Sequence, residues 1–322
     1  TTMLKKTTTA LITMLALSVQ GFGNDITELS QKLQDVSVTV KSGLGEGSGT
    51  IITREVKTGP NKTEKLNFVW TAAHVIDNLR SVRRVVQNGK TVPVVEFRDA
   101  QIVQEHIEDG RKVGESVMYA KVIKYSDSED GEDLALLLIR KKNFVSANTI
   151  FHAGGGSPVT LGTELYHVGS LLGQVGSNSM TRGIMSSVGR VLNLGSGEGV
   201  VFDQTTVPAF PGSSGGGVFL SERSGDKAGQ YVGMLVRGAG ETFNLIVPVR
   251  RMRRYAKKNN ISWAMDTTLE VPSLTDILTL PIEGPVATKA TGATATKSIT
   301  PDSKRFPVLP VVTTRIGEIK QK

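Results

Sequence analysis

Short apolar runs, rich in valine and isoleucine and closed off by turn residues, recur from residue 36 to residue 249 with almost nothing helical between them. They read VSVTV at 36, GTIIT at 49, NFVW at 67, TVPVVEF at 91, VMYAKVI at 117, LALLLI at 134, ELYHVG at 164, GVVF at 199, GVFL at 217, YVGMLV at 231 and NLIVPV at 244. Runs of this length behave as strands, and a long series of them without intervening helices specifies a sandwich or barrels. The one convincing helix is Val249–Lys258, near the end of the series. The chain therefore reads as all-β, with length enough for two barrels side by side.

The two ends differ from this middle. Residues 1–23 carry Lys5 and Lys6, then an apolar stretch from Ala10 to Val19, then Gly21 and Gly23. That is the grammar of a signal peptide-like leader, and the stretch falls short of the roughly 20 residues that span a bilayer. It predicts a secreted or periplasmic protein without a stable membrane span. Two threonines ahead of Met3 suit a piece of a longer product. Residues 264–322 turn to Thr, Ala, Lys and Pro, as in VATKATGATATKSITPDSK. Such text buries too little apolar surface to offset chain entropy, so a disordered low-complexity tail is expected there. Between the ends, 24–150 and 151–263 are expected to form one barrel each.

Composition narrows the chemistry. The absence of cysteine removes disulfides, thiolate metal sites and cysteine nucleophiles together. His74, His106, His152 and His167 show no metal-ligand spacing, and no cofactor motif is present, so no cofactor is expected. The formal net charge of +8 is concentrated in RRMRRYAKK, Arg250 to Lys258. Aromatic residues, 5% of the chain, are not interleaved with these cations, which argues against a nucleic-acid platform and for a solvated helix face.

In FPGSSGGGVF, Phe210 to Phe219, four glycines surround two adjacent serines. Gly212 to Gly216 fits Gly-x-Ser-x-Gly, but a nucleophile elbow needs a histidine after the serine, and every histidine here precedes it. The order His, Asp, Ser is available. NFVWTAAHV sets His74 just past a strand, and EDGEDLALLLI sets Asp133 at the mouth of the most apolar run in the chain. A serine hydroxyl needs a base to take its proton, the imidazole needs a carboxylate to orient it, and the resulting oxyanion needs donors. His74, Asp133 and Ser214 fit the first roles; the N–H groups of Gly212 and Ser214 fit the last. Ser214, followed by two glycines, is preferred over Ser213, and His152 and His167 are read as packed or surface residues without a catalytic role.

At these positions the chain resembles the trypsin-like serine proteases, and among them the HtrA or Deg type. TAAH at 71–74, DLALL at 133–137 and PGSSGG at 211–216 are similar to the family's three catalytic motifs in the family's order. GEGSGTIIT, VGSLLGQVGSNSMTRGIMSSVGRV and IVPVRRMRR extend the resemblance over roughly residues 36–258. It implies two six-stranded antiparallel β-barrels with the active site in the cleft between them, a peptide-bond hydrolase and protein or peptide substrates. It also implies a specificity pocket at Pro208 and Ala209, where no acid could receive Lys or Arg. Uncharged, small or medium apolar residues are then expected at the cut, with Leu235, Val236, Arg237 and Gly238 pairing with substrate backbone.

Several features depart from the pattern. Ser213 stands where trypsin-like zymogens have an acid, so activation by a freed amino terminus is not expected. The stretch from Asp77 to Gly131 is long and reads as an elaborated loop region, and 264–322 is too short and too polar for the PDZ domain common in HtrA proteins. Two rival readings stand beside the enzyme: a protease-shaped binding module that no longer cuts, and a processing domain from a viral or phage polyprotein. The assembly state is not legible.

Overall fold

The structure is a computed structural model that describes residues 26–87, 89–129, 131–153, 159–193, 199–238 and 241–283. Leader residues 1–23 and the tail beyond 283 lie outside them. Six strands, β1 (Ser37–Lys41), β2 (Glu46–Gly59), β3 (Lys62–Thr71), β6 (Ala100–Glu108), β7 (Arg111–Ser126) and β8 (Leu134–Ile139), close into one barrel in the order β1-β2-β3-β8-β7-β6. A second closed barrel, ordered β10-β11-β14-β13-β12-β9, is made by β9 (Glu164–Leu171), β10 (Gly176–Asn193), β11 (Gly199–Thr205), β12 (Gly217–Leu220), β13 (Tyr231–Gly238) and β14 (Asn244–Pro248). Every pairing is antiparallel, as the two-barrel expectation requires. The strands fall within 24–150 and 151–263.

LALLLI becomes β8 with all six residues buried, so both of its faces are covered by protein. Ile51 and Ile102 on one face of the first barrel's sheet, and Phe68, Trp70 and Leu136 on the other, belong to one buried apolar cluster, which runs on through Tyr166, Phe219 and Tyr231 of the second barrel. A smaller core of Leu165, Met185, Val207, Val218, Leu220, Val232, Leu235 and Ile246 fills the second barrel.

Three sequence expectations are corrected. The region from Asp77 to Gly131 is more than an elaborated loop: besides the expected runs at 91 and 117, which become β5 (Lys90–Phe97) and part of β7, it supplies β6 and β4 (Arg80–Gln87), the latter pairing with β5 in a separate two-stranded ribbon. β4 (RSVRRVVQ) and β6 (AQIVQEHIE) mix apolar with charged and other polar side chains without a regular period, so they show neither strict alternation nor the unbroken apolar run that marks their neighbours. The low-complexity segment does not start its departure from the fold at 264. Trp263 packs edge-on against Phe68 with ring centroids 4.9 Å apart, and Trp70 Nε1 donates to the Ala264 carbonyl at 3.2 Å. The chain then runs to a short helix, Leu274–Thr279, whose Ile277 is buried, and reaches Tyr125, whose N–H donates to Ile282 at 2.9 Å. A few apolar anchors suffice to hold this strap despite its polar composition.

The helix Val249–Lys258 forms as expected, but its cations do not simply face solvent. Arg250 makes two 2.6 Å bonds to Asp203, Arg253 donates to the Phe151 carbonyl, and buried Arg251 pairs with Glu132 while stacking over Phe202. Residues 26–35 form a further helix, anchored by buried Leu29 and Leu33, that the apolar-run pattern missed. Among the described residues no helix is long and apolar enough to cross a membrane.

Candidate active site

His74 lies in a single helical turn, Ala73–Ile76, directly after β3. Buried Ala73, Val75 and Ile76 press this turn onto the barrel and leave the imidazole on the cleft side, one third exposed. Asp133 precedes β8 with a left-handed φ of 55°, a conformation that aspartate tolerates better than most residues. Its N–H donates to the Asp127 carbonyl, which closes the acidic turn and sends the carboxylate inward, where it is buried. There it takes three hydrogen bonds from one residue: His74 Nδ1 at 3.0 Å to each carboxylate oxygen, and the His74 backbone N–H at 3.1 Å. Nδ1 must carry the proton to donate, so Nε2 is left as the basic atom.

Asp77 is close behind this pair. Burial pushes its carboxyl up, and the Tyr125 hydroxyl donates to it at 2.5 Å, so a second acid stands near the imidazole under a phenol. Nothing in the residue pattern points to this contact, because Asp77 and Tyr125 belong to no motif.

The serine loop is shaped by its backbone. Phe210, Pro211, Gly212 and Ser213 make a turn closed by the Ser213 N–H to the Phe210 carbonyl at 2.9 Å. Proline at its second position and a glycine with φ of +93° at its third make it type II. The Pro211 carbonyl accepts the Leu172 N–H at 2.7 Å, and the trans peptide therefore sends the Gly212 N–H the opposite way. Among the described residues, no acceptor within the chain takes the N–H of Gly212 or of Ser214. Two unspent donors flank the Ser214 hydroxyl.

Ser214 and Ser213 part company here. Ser213 is fully buried and its hydroxyl accepts the Phe210 N–H at 3.1 Å, whereas Ser214 stays partly open. Ser214 Oγ donates to the Val236 carbonyl at 3.5 Å and makes no hydrogen bond to His74 in this structure. The two are nonetheless neighbours. A Cβ on Gly47 would meet both Val75 and the Ser214 carbonyl, and one on Gly215 would lie 3.0 Å from the Ala72 N and 2.1 Å from the Ser48 carbonyl. Gly215, with φ of +89°, thus brings the serine loop against the turn that carries His74.

Ser48 is the residue that sequence reasoning passed over. From β2 of the first barrel, its N–H donates to the Ser214 carbonyl at 2.7 Å. Its hydroxyl accepts the Ser170 N–H and donates to the Gly212 carbonyl, both at 2.7 Å. GEGSGTIIT resembles a supporting segment of the family, but nothing in it says that the serine spans the cleft.

The remaining expected positions are found as follows. Leu235 is tied to the serine loop by Gly215 N–H to its carbonyl and by its own N–H to Gly216. β12 ends opposite Met234, so the edge of Val236, Arg237 and Gly238 on that side carries no strand among the described residues. Arg237 reaches across to the Ser128 carbonyl at 3.0 Å. Pro208 and Ala209 are half-buried, with Ala209 against the second-barrel core and the Pro208 carbonyl accepting Thr181 Oγ1. His167 is buried under the loop, donating from Nδ1 to the Gly217 carbonyl at 3.0 Å, and burial pushes it down to about 4.

A family model described as the trypsin-like peptidase domain matches residues 47–234. The serine protease Do-like HtrA of Lactobacillus helveticus is 27% identical over 213 residues, covering 66% of this chain and 39% of that protein. This chain thus spans well under half the length of that curated relative. Among solved structures, Deg5 superposes with a TM-score of 0.48 at 18% identity, covering 72% of this chain and 91% of that one. Rv3671c from M. tuberculosis H37Rv, in an inactive serine-to-alanine mutant, gives 0.48 at 15% identity, with coverage of 71% and 89%. The family match takes in more than half of the residues, and the chain belongs to the trypsin-like peptidase family, with similarity to its HtrA type.

Proposed function

We propose that the chain is a serine endopeptidase acting on protein or peptide substrates through an acyl-enzyme on Ser214. His74 Nε2 takes the Ser214 proton as Oγ bonds to the scissile carbonyl carbon, and passes it to the amine as the C–N bond breaks. Water then repeats the sequence, giving its proton to His74 and releasing the acid from Ser214. Asp133 holds the imidazole tautomer, and the N–H groups of Gly212 and Ser214 receive the oxyanion. The three bonds from His74 to one buried carboxylate are the observation that carries this reading, because they leave a single basic nitrogen beside the serine loop. Catalytic hydrogen bonds are commonly long before substrate arrives, which accounts for the unmade His74–Ser214 contact.

Pro208 and Ala209 offer no charge to a substrate side chain, which supports cleavage after uncharged residues. The open edge of Val236 to Gly238 supports substrate binding as an added strand. Export by the leader through residue 23 belongs to the same reading, and amino-terminal sequencing of secreted product tests it. Labelling with a fluorophosphonate followed by peptide mapping tests the enzyme itself: one modified peptide containing Ser214 is expected, and no modification overturns it. A second reading, a protease-shaped binding module, is favoured by the Ser214 hydroxyl facing Val236 instead of His74. It predicts that no peptide is labelled.

A further inference from the structure

Glu46 opens β2 of the first barrel, and its side chain reaches the second. Its Oε2 accepts the Gln174 N–H at 2.7 Å, and its Oε1 pairs with Lys41 Nζ at 3.2 Å. The Gln174 N–H, with Lys41 beside it, holds this carboxyl below its ordinary value against the opposing effect of burial, so it is a carboxylate at neutral pH. Gln174 belongs to the tip of the β9–β10 hairpin, whose two arms meet at the Leu171–Gly176 pair. Glu46 and Ser48, two residues apart on one strand, share a face of β2, and both use it to bond the second barrel.

The hairpin tip is where the serine loop gets its shape. Leu172 sits at a left-handed φ of 61°, which an L side chain resists, and from there its N–H holds the Pro211 carbonyl at 2.7 Å. Proline followed by glycine at the centre of a turn suits type I as well as type II, and type I has the peptide between them turned over. The Leu172 N–H therefore selects the Pro211–Gly212 orientation that the residue types leave open. Gly173 links this contact to Glu46. A Cβ on Gly173 would lie 2.1 Å from Glu46 Oε2, and a Cβ on Gly212 would lie 2.5 Å from the Gly173 N, so Gly173 is packed between the carboxylate and the loop. Among the described residues, no other side chain bonds to the backbone of residues 172–175.

Resting on the endopeptidase reading, we propose that Glu46 is a positioning residue for the oxyanion donors: by pinning the Gln174 N–H it keeps Leu172 on the Pro211 carbonyl and the Gly212 N–H turned toward the reacting centre. Glu46 touches neither substrate nor nucleophile in this role. Its loss lets the hairpin tip relax from the left-handed Leu172 and frees the Pro211–Gly212 peptide, which weakens the donors without altering the surface that binds the peptide. Such a loss falls on the transition state and spares the ground state.

The test compares wild-type protein, Glu46→Ala and Glu46→Gln on one peptide substrate and on a peptide aldehyde of matching sequence, whose adduct with Ser214 puts its oxygen where the oxyanion forms. The Glu46 side chain is 37% exposed and lies outside both apolar cores, so both variants are expected to fold, which their Tm checks. Glu46→Ala is expected to lower kcat about tenfold with KM nearly unchanged and to weaken the aldehyde by a similar factor, while the matching peptide alcohol, which cannot add to the serine, binds as before. Glu46→Gln keeps an oxygen acceptor for the Gln174 N–H and is expected to retain at least about a third of kcat. An unchanged kcat in Glu46→Ala, a loss carried by KM, or a loss in Glu46→Gln as large as in Glu46→Ala overturns the proposal. A fluorophosphonate control separates the two readings. Labelled Ser214 in the wild type with any of those results removes only this inference, whereas an unlabelled Ser214 removes the endopeptidase and this inference with it.

Discussion

His74 and Asp133 stand at the ends of regular first-barrel elements and fix each other through their own side chains, whereas Gly212 and Ser214 lie in a second-barrel loop fixed by backbone bonds from elsewhere. Three hydrogen bonds join the first pair directly. The second pair depends on Leu172, Ser48 and Gly215, none of which needs to touch a substrate. On the proposed mechanism, the proton-handling half is thus a local arrangement, and the anion-binding half is a property of the contact between barrels. Loss of the nucleophile or of the His74–Asp133 contact should abolish turnover sharply; damage to the backbone bonds that shape the Gly212 and Ser214 donors should erode it.

Ser214→Ala removes the nucleophile and is expected to lower kcat by about a million-fold, while Ser213→Ala, which loses one turn contact, costs a few-fold at most. Steady-state hydrolysis of a peptide substrate decides between them, and the reverse result moves the nucleophile to Ser213. Asp133→Asn should lower kcat about ten-thousand-fold with the fold intact, because the amide imposes the wrong imidazole tautomer. A loss below about a hundredfold would show that His74 does not rely on that carboxylate. Ser48→Ala probes the other half and should lower kcat roughly tenfold with KM nearly unchanged, since a loosened Gly212 peptide weakens only the oxyanion's donors. An equal rise in KM would assign Ser48 to substrate binding instead.

The smallest effect is thermal. His167 is pushed down to about 4 by burial against an ordinary value of 6.5, so the unfolded chain takes up that proton first. The stability that neutral His167 contributes is complete above pH 6.5 and lost as pH falls toward 4, about 3 kcal/mol in all. Tm should drop through that window, and His167→Gln, which keeps a donor for the Gly217 carbonyl, should flatten the drop. An unchanged profile would mean that the imidazole meets solvent or a donor.

The same division governs what the sequence reveals. His74, Asp133 and Ser214 are legible because their chemistry resides in residue type and order, and the barrels are legible because β8, β12 and β14 are nearly pure apolar runs. Leu172 is not, because what it gives the site is a backbone N–H that any residue but proline could supply, from a left-handed φ of 61° that leucine seldom adopts. Ser48 looks like one more turn residue until the second barrel is placed against it. β4 and β6 escape notice because charged side chains interrupt their pattern, and the packed segment after residue 263 escapes because Trp263, Ala264 and Ile277 are too few to outweigh its polar neighbours in any average over composition.

That packed segment has a mechanical consequence. It leaves the second barrel after Ile261 and fastens to the first through Lys124 and Tyr125 and to the β4–β5 ribbon through the Arg80–Glu283 ion pair. Tension applied from beyond residue 283 would load those few fasteners before any barrel strand. The segment would peel away like a zip under strain, uncovering the tyrosine that leans on Asp77 while both barrels were still shut.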